Sequence, residues 1–255
     1  IKKHSHEPFF IYLPHPQPHV PLVAAEKFQN TQARGLYGDV ISEIDASVGS
    51  IISTLKEEGL YQDTIIIFTS DNGPWLSYGA HSGSAGVFRE GKGTNWEGGH
   101  RVPGIISYPQ KIKPQTKIEV AAMGIDWLPT IVEFTKAKSP GLKIDGVSLV
   151  PQLSEGSIKP AHENLFFYYR TNELHAIRHK NWKFYVPHTY RSLNGRKGTN
   201  DGNPIKYDMN RLYKPALFDL ENDPSEKNDI ANERPDMVEK INKIADSIRQ
   251  VLGDQ

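Results

Sequence analysis

Three short segments hold residue types suited to an anionic substrate. In Ser70-Asp71-Asn72-Gly73 a carboxylate and an amide oxygen stand side by side, and both are hard oxygen donors suited to Ca²⁺ or Mg²⁺. The same residues favour a tight turn, so the metal reading and the turn reading both stand at this point. In Gly91-Lys92-Gly93-Thr94-Asn95-Trp96-Glu97-Gly98-Gly99-His100-Arg101, glycines let a backbone approach an anion closely, and Lys92 presents a point charge between two of them. The G-x-x-x-x-G-K-[ST] spacing of a nucleotide P-loop is absent. The third segment, Pro14 to Leu22, sets His15 and His19 among four prolines, which restrict a loop and suit a pre-positioned side chain.

Each segment adjoins an expected strand. Pro8-Phe9-Phe10-Ile11-Tyr12-Leu13 is aromatic and β-branched and predicts a buried strand before the histidines. Thr64 to Thr69 is a continuous apolar run, the pattern of a strand buried on both faces of a parallel or mixed layer, and it ends just before Asp71. Gly104 to Tyr108 is a further strand after the glycine-rich segment. Open α/β sheets gather ligands at strand ends, so the three segments are expected to converge on one edge. Val40, Ile41, Ile44, Val48, Ile51, Ile52 and Leu55 recur at helical spacing and predict a helix ending near Gly59. A second helix is expected over Ile125 to Val132, with Pro129 in its first turn or kinking it.

Beyond Pro151, aromatic segments at Leu165–Tyr169, His175–Arg178, Trp182–Tyr185 and Ala216–Leu220 predict a small antiparallel sheet. Residues 190–212 are polar and aperiodic and predict one long loop. A closing helix is expected from Pro235 to Val251, with Met237, Ile241, Ile244, Ile248 and Val251 on one stripe. The fold class is therefore α/β, with residues 1–155 in a main domain and 156–255 in a smaller one.

The 255 residues carry 30 Lys plus Arg against 30 Asp plus Glu, so a general polyanion surface for nucleic acid is not indicated. Cys is absent, which removes disulfides, thiolate zinc sites and Cys nucleophiles from these residues. No apolar run approaches the ~20 residues of a membrane span.

Together these motifs closely resemble the sulfatase family of the alkaline phosphatase superfamily, within it the arylsulfatase A-like group. The resemblance rests on the order His-x-Pro, buried strand, Ser-Asp-Asn-Gly, Gly-Lys-Gly-Thr-x-x-Glu-Gly-Gly-x-Arg-x-Pro, Asp126-Trp127-Leu128-Pro129-Thr130 and Asp145-Gly146. Leu217 to Glu226 is similar to the late strand and acidic turn of that family. The resemblance implies the C-terminal part of an alkaline phosphatase-like mixed-sheet sandwich with helices, followed by a small antiparallel sheet and a C-terminal helix.

It further implies Asp71 and Asn72 as calcium ligands, with Mg²⁺ the less favoured ion. Lys92 would contact the sulfate, and His19 would bind sulfate or assist departure of the alcohol. His188 and Arg191 are the expected specificity residues for a sulfated small molecule or glycan. His100 is placed at a pocket edge, and Arg101 is expected to tie the loop to its neighbours. The Cys/Ser-x-Pro-x-Arg motif that yields the family's formylglycine is missing, as is its N-terminal Asp-Asp pair. Ser107-Tyr108-Pro109-Gln110-Lys111 ends in Lys and is rejected as the nucleophile. The chain is thus expected to be the C-terminal portion of a sulfatase, inactive alone, partnered by the N-terminal half that carries the formylglycine. Family resemblance favours a periplasmic or extracellular location. A phosphodiesterase or phosphonate monoester hydrolase of the same superfamily, and a non-catalytic protein binding sulfated glycans, are the alternatives.

Overall fold

The computed structural model describes residues 1–254. In chain order its elements are α1 (Gly35–Glu57), β1 (Ile66–Thr69), α2 (Glu97–His100), β2 (Gly104–Ser107), α3 (Trp127–Thr135), α4 (Val150–Ser154), β3 (Asn164–Tyr169), β4 (Glu173–His179), β5 (Trp182–Tyr185), β6 (His188–Ser192), β7 (Asp208–Tyr213), β8 (Ala216–Asp219) and α5 (Pro235–Leu252). They belong to two compact units, each assembled from separate stretches of chain. No helix among the described residues is long and apolar enough to cross a membrane.

The first unit comprises Ile1–Tyr12, Val48–Thr69 and Pro103–Glu163. Its two strands pair antiparallel, with Phe68 opposite Ile105, and both side chains are substantially exposed at 37% and 60%. This corrects the expectation of a parallel or mixed strand buried on both faces. A continuous apolar run records low polarity, and strand direction depends on a neighbour it does not encode. Pro8–Leu13 forms no strand, and Phe10 and Tyr12 are 77% and 79% exposed. A strand needs a laddered neighbour, and none pairs with this segment among the described residues. Ile112, Leu149 and Leu153 form the buried core, with Tyr108, Trp127 and Phe134 packed against it. Pro129 occupies the first turn of α3, where its missing N–H has no intrahelical partner to lose.

Asp126 explains the Asp-Trp-Leu-Pro-Thr motif. Its carboxylate, fully buried, accepts the Met123 and Val147 amides at 2.7 and 2.9 Å and His162 Nε2 at 2.6 Å. Thr130 donates its hydroxyl to the Asp126 carbonyl and accepts the Leu149 amide. The motif thereby joins α3 to the approach to α4, satisfying donors that would otherwise be buried unpaired.

The second unit comprises Leu13–Ser47, Ser70–Val102 and residues 164–254. Four strands form an antiparallel sheet in the order β3-β4-β5-β8. Amphipathic α5 covers it, burying Ile241 and Ala245 against Leu174, Ile177, Phe184 and Leu217. The expected long loop at 190–212 is shorter, since its two ends pair as the hairpin β6 with β7 and only residues 193–207 form the connecting loop. Its β7 strand is mostly exposed and polar, so it carries no apolar alternation to reveal it.

Candidate functional site

The glycine-rich segment lies flat against the turn that carries Asp71 and Asn72. The Lys92 amide donates to the Pro74 carbonyl at 2.9 Å, and the Gly73 amide to the Gly99 carbonyl at 3.0 Å. A Cβ at Gly73 would meet the Gly98 carbonyl oxygen at 1.8 Å, so only glycine permits this approach. Asp71 is exposed at its edge, with Asn72 half-buried beside it, and the Asn72 amide nitrogen donates to Asp71 Oδ1 at 2.5 Å. Both side-chain oxygens are the hard donors Ca²⁺ accepts. They are two where such an ion takes six to eight, so these residues fit part of a calcium site. Among the described residues no three His, Asp or Glu side chains are clustered for a metal ion.

Trp75, which immediately follows this turn, gathers three of the expected site residues. The His19 ring meets its edge with centroids 5.6 Å apart. Lys92 Nζ lies over the indole at 4.9 Å, and the Arg191 guanidinium at 5.7 Å. The π-face of an aromatic ring attracts cations, so Trp75 holds basic groups close together that would otherwise repel. His19 Nδ1 bonds the Val20 carbonyl at 2.7 Å, which fixes the ring and leaves Nε2 for a ligand. Sequence reasoning missed Trp75, although its place directly behind Asp-Asn-Gly-Pro is a signal available in the chain.

His188 is not brought to this cluster. It is buried, bonds the Val186 carbonyl through Nδ1 at 2.7 Å and stacks on His175 at 4.0 Å. Burial lowers its pKa to about 4, so the ring is neutral at pH 7. His100 is exposed, with Nε2 2.5 Å from Asn95 Oδ1 and its ring against Phe167. Arg101 reaches Glu97 at 3.6 Å and covers the Phe88 ring.

The segment is anchored from below by a buried charge cluster. Lys183 on β5 donates to Glu97 Oε1 at 2.8 Å and lies 3.6 Å from Glu226 Oε1. Tyr185 donates its hydroxyl to Glu226 Oε1, and the Glu97 amide donates to Glu226 Oε2. All four side chains are buried. Burial is the largest influence on Glu97 and works against its ionisation, yet the Lys183 ammonium together with Arg178 and Arg101 outweighs it and holds the pKa below the usual carboxylate range. At Glu226 burial prevails and the pKa rises. A lysine within an aromatic strand is the one sequence signal of this cluster, since a buried ammonium needs an anion.

Two family models match the chain, Sulfatase over residues 1–137 and the C-terminal region of aryl-sulfatase over residues 161–254. The chain belongs to the sulfatase family. Bovine (Bos taurus) arylsulfatase A is 33% identical over 227 residues, covering 88% of this chain and 44% of that protein. Human (Homo sapiens) steryl-sulfatase is 35% identical over 245 residues, covering 90% of this chain and 42% of that protein. This sulfatase chain therefore spans less than half the length of those relatives. A solved structure from work on glycosaminoglycan metabolism by Bacteroides thetaiotaomicron superposes with a TM-score of 0.78 at 28% identity, over 98% of this chain and 52% of that one. The fold is that of the alkaline phosphatase-like sulfatases, with helices, antiparallel sheets and a C-terminal helix.

Proposed function

We propose that this chain is the anion-binding portion of an enzyme that hydrolyses sulfate esters of a sugar or aryl alcohol. The observation that carries this reading is the convergence of His19, Lys92 and Arg191 on Trp75, which closely follows the turn that carries Asp71 and Asn72. Lys92 neutralises charge on the sulfate oxygens, and fixed cations at developing charge are commonly the largest single catalytic contribution. His19 offers Nε2–H to the oxygen of the departing alcohol when its ring is protonated. Arg191 adds a second cation whose planar fork is suited to an oxyanion. Asp71 and Asn72 would supply two of the oxygen ligands of a calcium ion, which would neutralise charge on a bound sulfate. The family's formylglycine, expected in the part of the relatives that this chain does not span, supplies the nucleophile when present.

The test is turnover of 4-nitrophenyl sulfate by the full-length protein and its Lys92→Ala variant. Loss of one positioned charge is expected to lower kcat by about two to three decades with the fold intact. Near-normal turnover in a folded variant would refute the assignment of Lys92.

A further inference from the structure

We infer that Glu226 is a positioning residue for the reaction proposed above, a buried carboxyl group that clasps the loop carrying Lys92 and does so with a proton on Oε1; its role in that reaction rests on the sulfate-ester reading. The Gly98 amide donates to the Arg89 carbonyl at 2.8 Å, which closes residues 89–98 into a loop with Lys92 inside it. Glu226, 129 residues beyond Glu97 in the chain, holds both closing ends. Its backbone carbonyl accepts Arg89 Nη1 at 2.9 Å, and its Oε2 accepts the Glu97 amide at 2.8 Å. Its own backbone is left-handed, at φ 53°, a conformation that costs a residue with a Cβ and persists where the surroundings impose it. The turn before it imposes it. The Glu226 amide donates to the Asp223 carbonyl at 3.1 Å, and Asp223 Oδ2 accepts the Lys227 and Asn228 amides at 2.7 and 2.8 Å.

The proton follows from counting donors. Tyr185 Oη stands between two acceptors, Glu226 Oε1 and the Asn95 carbonyl at 3.0 Å, and has one proton to give. Given to an ionised Glu226, that proton is taken from Asn95. A protonated Glu226 serves both contacts: Oε1–H donates to Tyr185 Oη, the Tyr185 hydroxyl donates to the Asn95 carbonyl, and Oε2 still accepts the Glu97 amide. Asn95 lies in the Lys92 loop, so the proton adds a third tie to it.

The surrounding charges agree. Lys183 directs its ammonium to Glu97 Oε1 at 2.8 Å and lies 3.6 Å from Glu226 Oε1, while Arg101 and Arg178 also act on Glu97. Arg89 gives its guanidinium to the Glu226 backbone carbonyl and to the Trp96 face at 3.6 Å. Cations thus gather on Glu97, which ionises, and the carboxyl group of Glu226 meets uncharged donors within hydrogen-bonding distance. Burial pushes the Glu226 carboxyl up and the Tyr185 hydroxyl well up. Two carboxyl groups beside one buried ammonium separate in this way into one ionised and one protonated group. The proton is present below the raised value and is lost as pH climbs through it. The ionised form sets a second negative charge beside Glu97 and frees Asn95, so the loop loosens and Lys92 loses its place against the sulfate. That loss falls on KM, whereas loss of the His19 proton acts on kcat.

The full-length protein and its E226Q and E226A variants are compared by infrared difference spectroscopy and by the pH dependence of 4-nitrophenyl sulfate turnover. Glutamine reproduces the neutral acid, with an amide N–H for Tyr185 and a carbonyl for the Glu97 amide, and it does not titrate. The wild-type minus E226Q spectrum is expected to show the carbonyl stretch of a protonated carboxyl group, lost as pH rises. Over that pH range the wild-type KM is expected to rise about fivefold or more, and that of E226Q less than about twofold. E226A, with neither donor nor acceptor, is expected to have a KM raised about tenfold at every pH. If E226A does not fold, the spectrum and E226Q decide alone. No carboxylic acid band, an alkaline rise of KM that persists in E226Q, or an E226Q as impaired as E226A would overturn the proposal. Absence of turnover on every sulfate ester would instead overturn the sulfate-ester reading, with the infrared band still deciding whether Glu226 holds a proton.

Discussion

The Arg191 guanidinium donates through Nε, at 3.1 Å, and through Nη2 to the backbone carbonyl of Lys92. One residue of the β6–β7 hairpin thereby fixes the backbone from which the candidate sulfate-binding ammonium extends. The two cations also share the Trp75 ring, so they form one unit rather than two independent charges.

Arg191→Lys keeps the charge and removes the fork. Lysine has no planar pair of donors to reach one carbonyl oxygen. In the full-length enzyme KM for 4-nitrophenyl sulfate is expected to rise about tenfold, on the scale of one charged hydrogen bond. Steady-state kinetics with circular dichroism of the folded variant checks this, and an unchanged KM would show that the contact does not position Lys92.

Trp75→Ala removes the ring shared by His19, Lys92 and Arg191, whereas Trp75→Phe keeps an aromatic face. Two cation–π contacts of ~0.5 to 1 kcal/mol each, the range for exposed sites, imply a loss of roughly five- to thirtyfold in kcat/KM for Ala. The Phe variant is expected to retain most of the activity. Equal losses in both would show that the indole fills space rather than organising charge.

Asp71→Ala is expected to abolish tight Ca²⁺ binding by the full-length protein, because it deletes an anionic hard ligand. Asn72→Ala is expected to be milder, since a neutral amide oxygen contributes less. Isothermal titration with Ca²⁺ distinguishes them, and unchanged affinity in Asp71→Ala would leave residues 70–73 as a turn alone.

His188 makes the fold acid-sensitive. Its pKa of about 4 in the folded chain lies below the ordinary 6.5 because the ring is buried, with the neighbouring His175 ring also depressed by burial. Between pH 6.5 and 4 the unfolded chain takes up a proton at His188 that the folded chain refuses, so stability falls as pH falls. The total is on the order of 3 kcal/mol and levels off below pH 4. Urea unfolding at pH 7 and pH 5 is expected to show a shallower loss for His188→Gln, and identical slopes would contradict the assignment.

The chain alone determined the elements whose signals are local. The stripe Met237, Ile241, Ile244, Ile248 defined α5, and the aromatic segments defined β3, β4, β5 and β8. Gly-Lys-Gly and Asp-Asn-Gly marked a loop and a turn able to carry oxyanion and metal chemistry, because glycine conformations and ligand types are properties of single residues. Tertiary structure decided everything that depends on a distant partner. The antiparallel pairing of β1 with β2 joins residues far apart in the chain, and no apolar run specifies its neighbour. His188 and Arg191 lie three residues apart, yet one is buried in an aromatic cluster and the other stands beside Lys92. Residues 188 and 190 face one side of their strand and 191 the other, so the sheet's alternation and register separated the two roles. Trp75 and Lys183 likewise acquired meaning only from charges brought to them by folding.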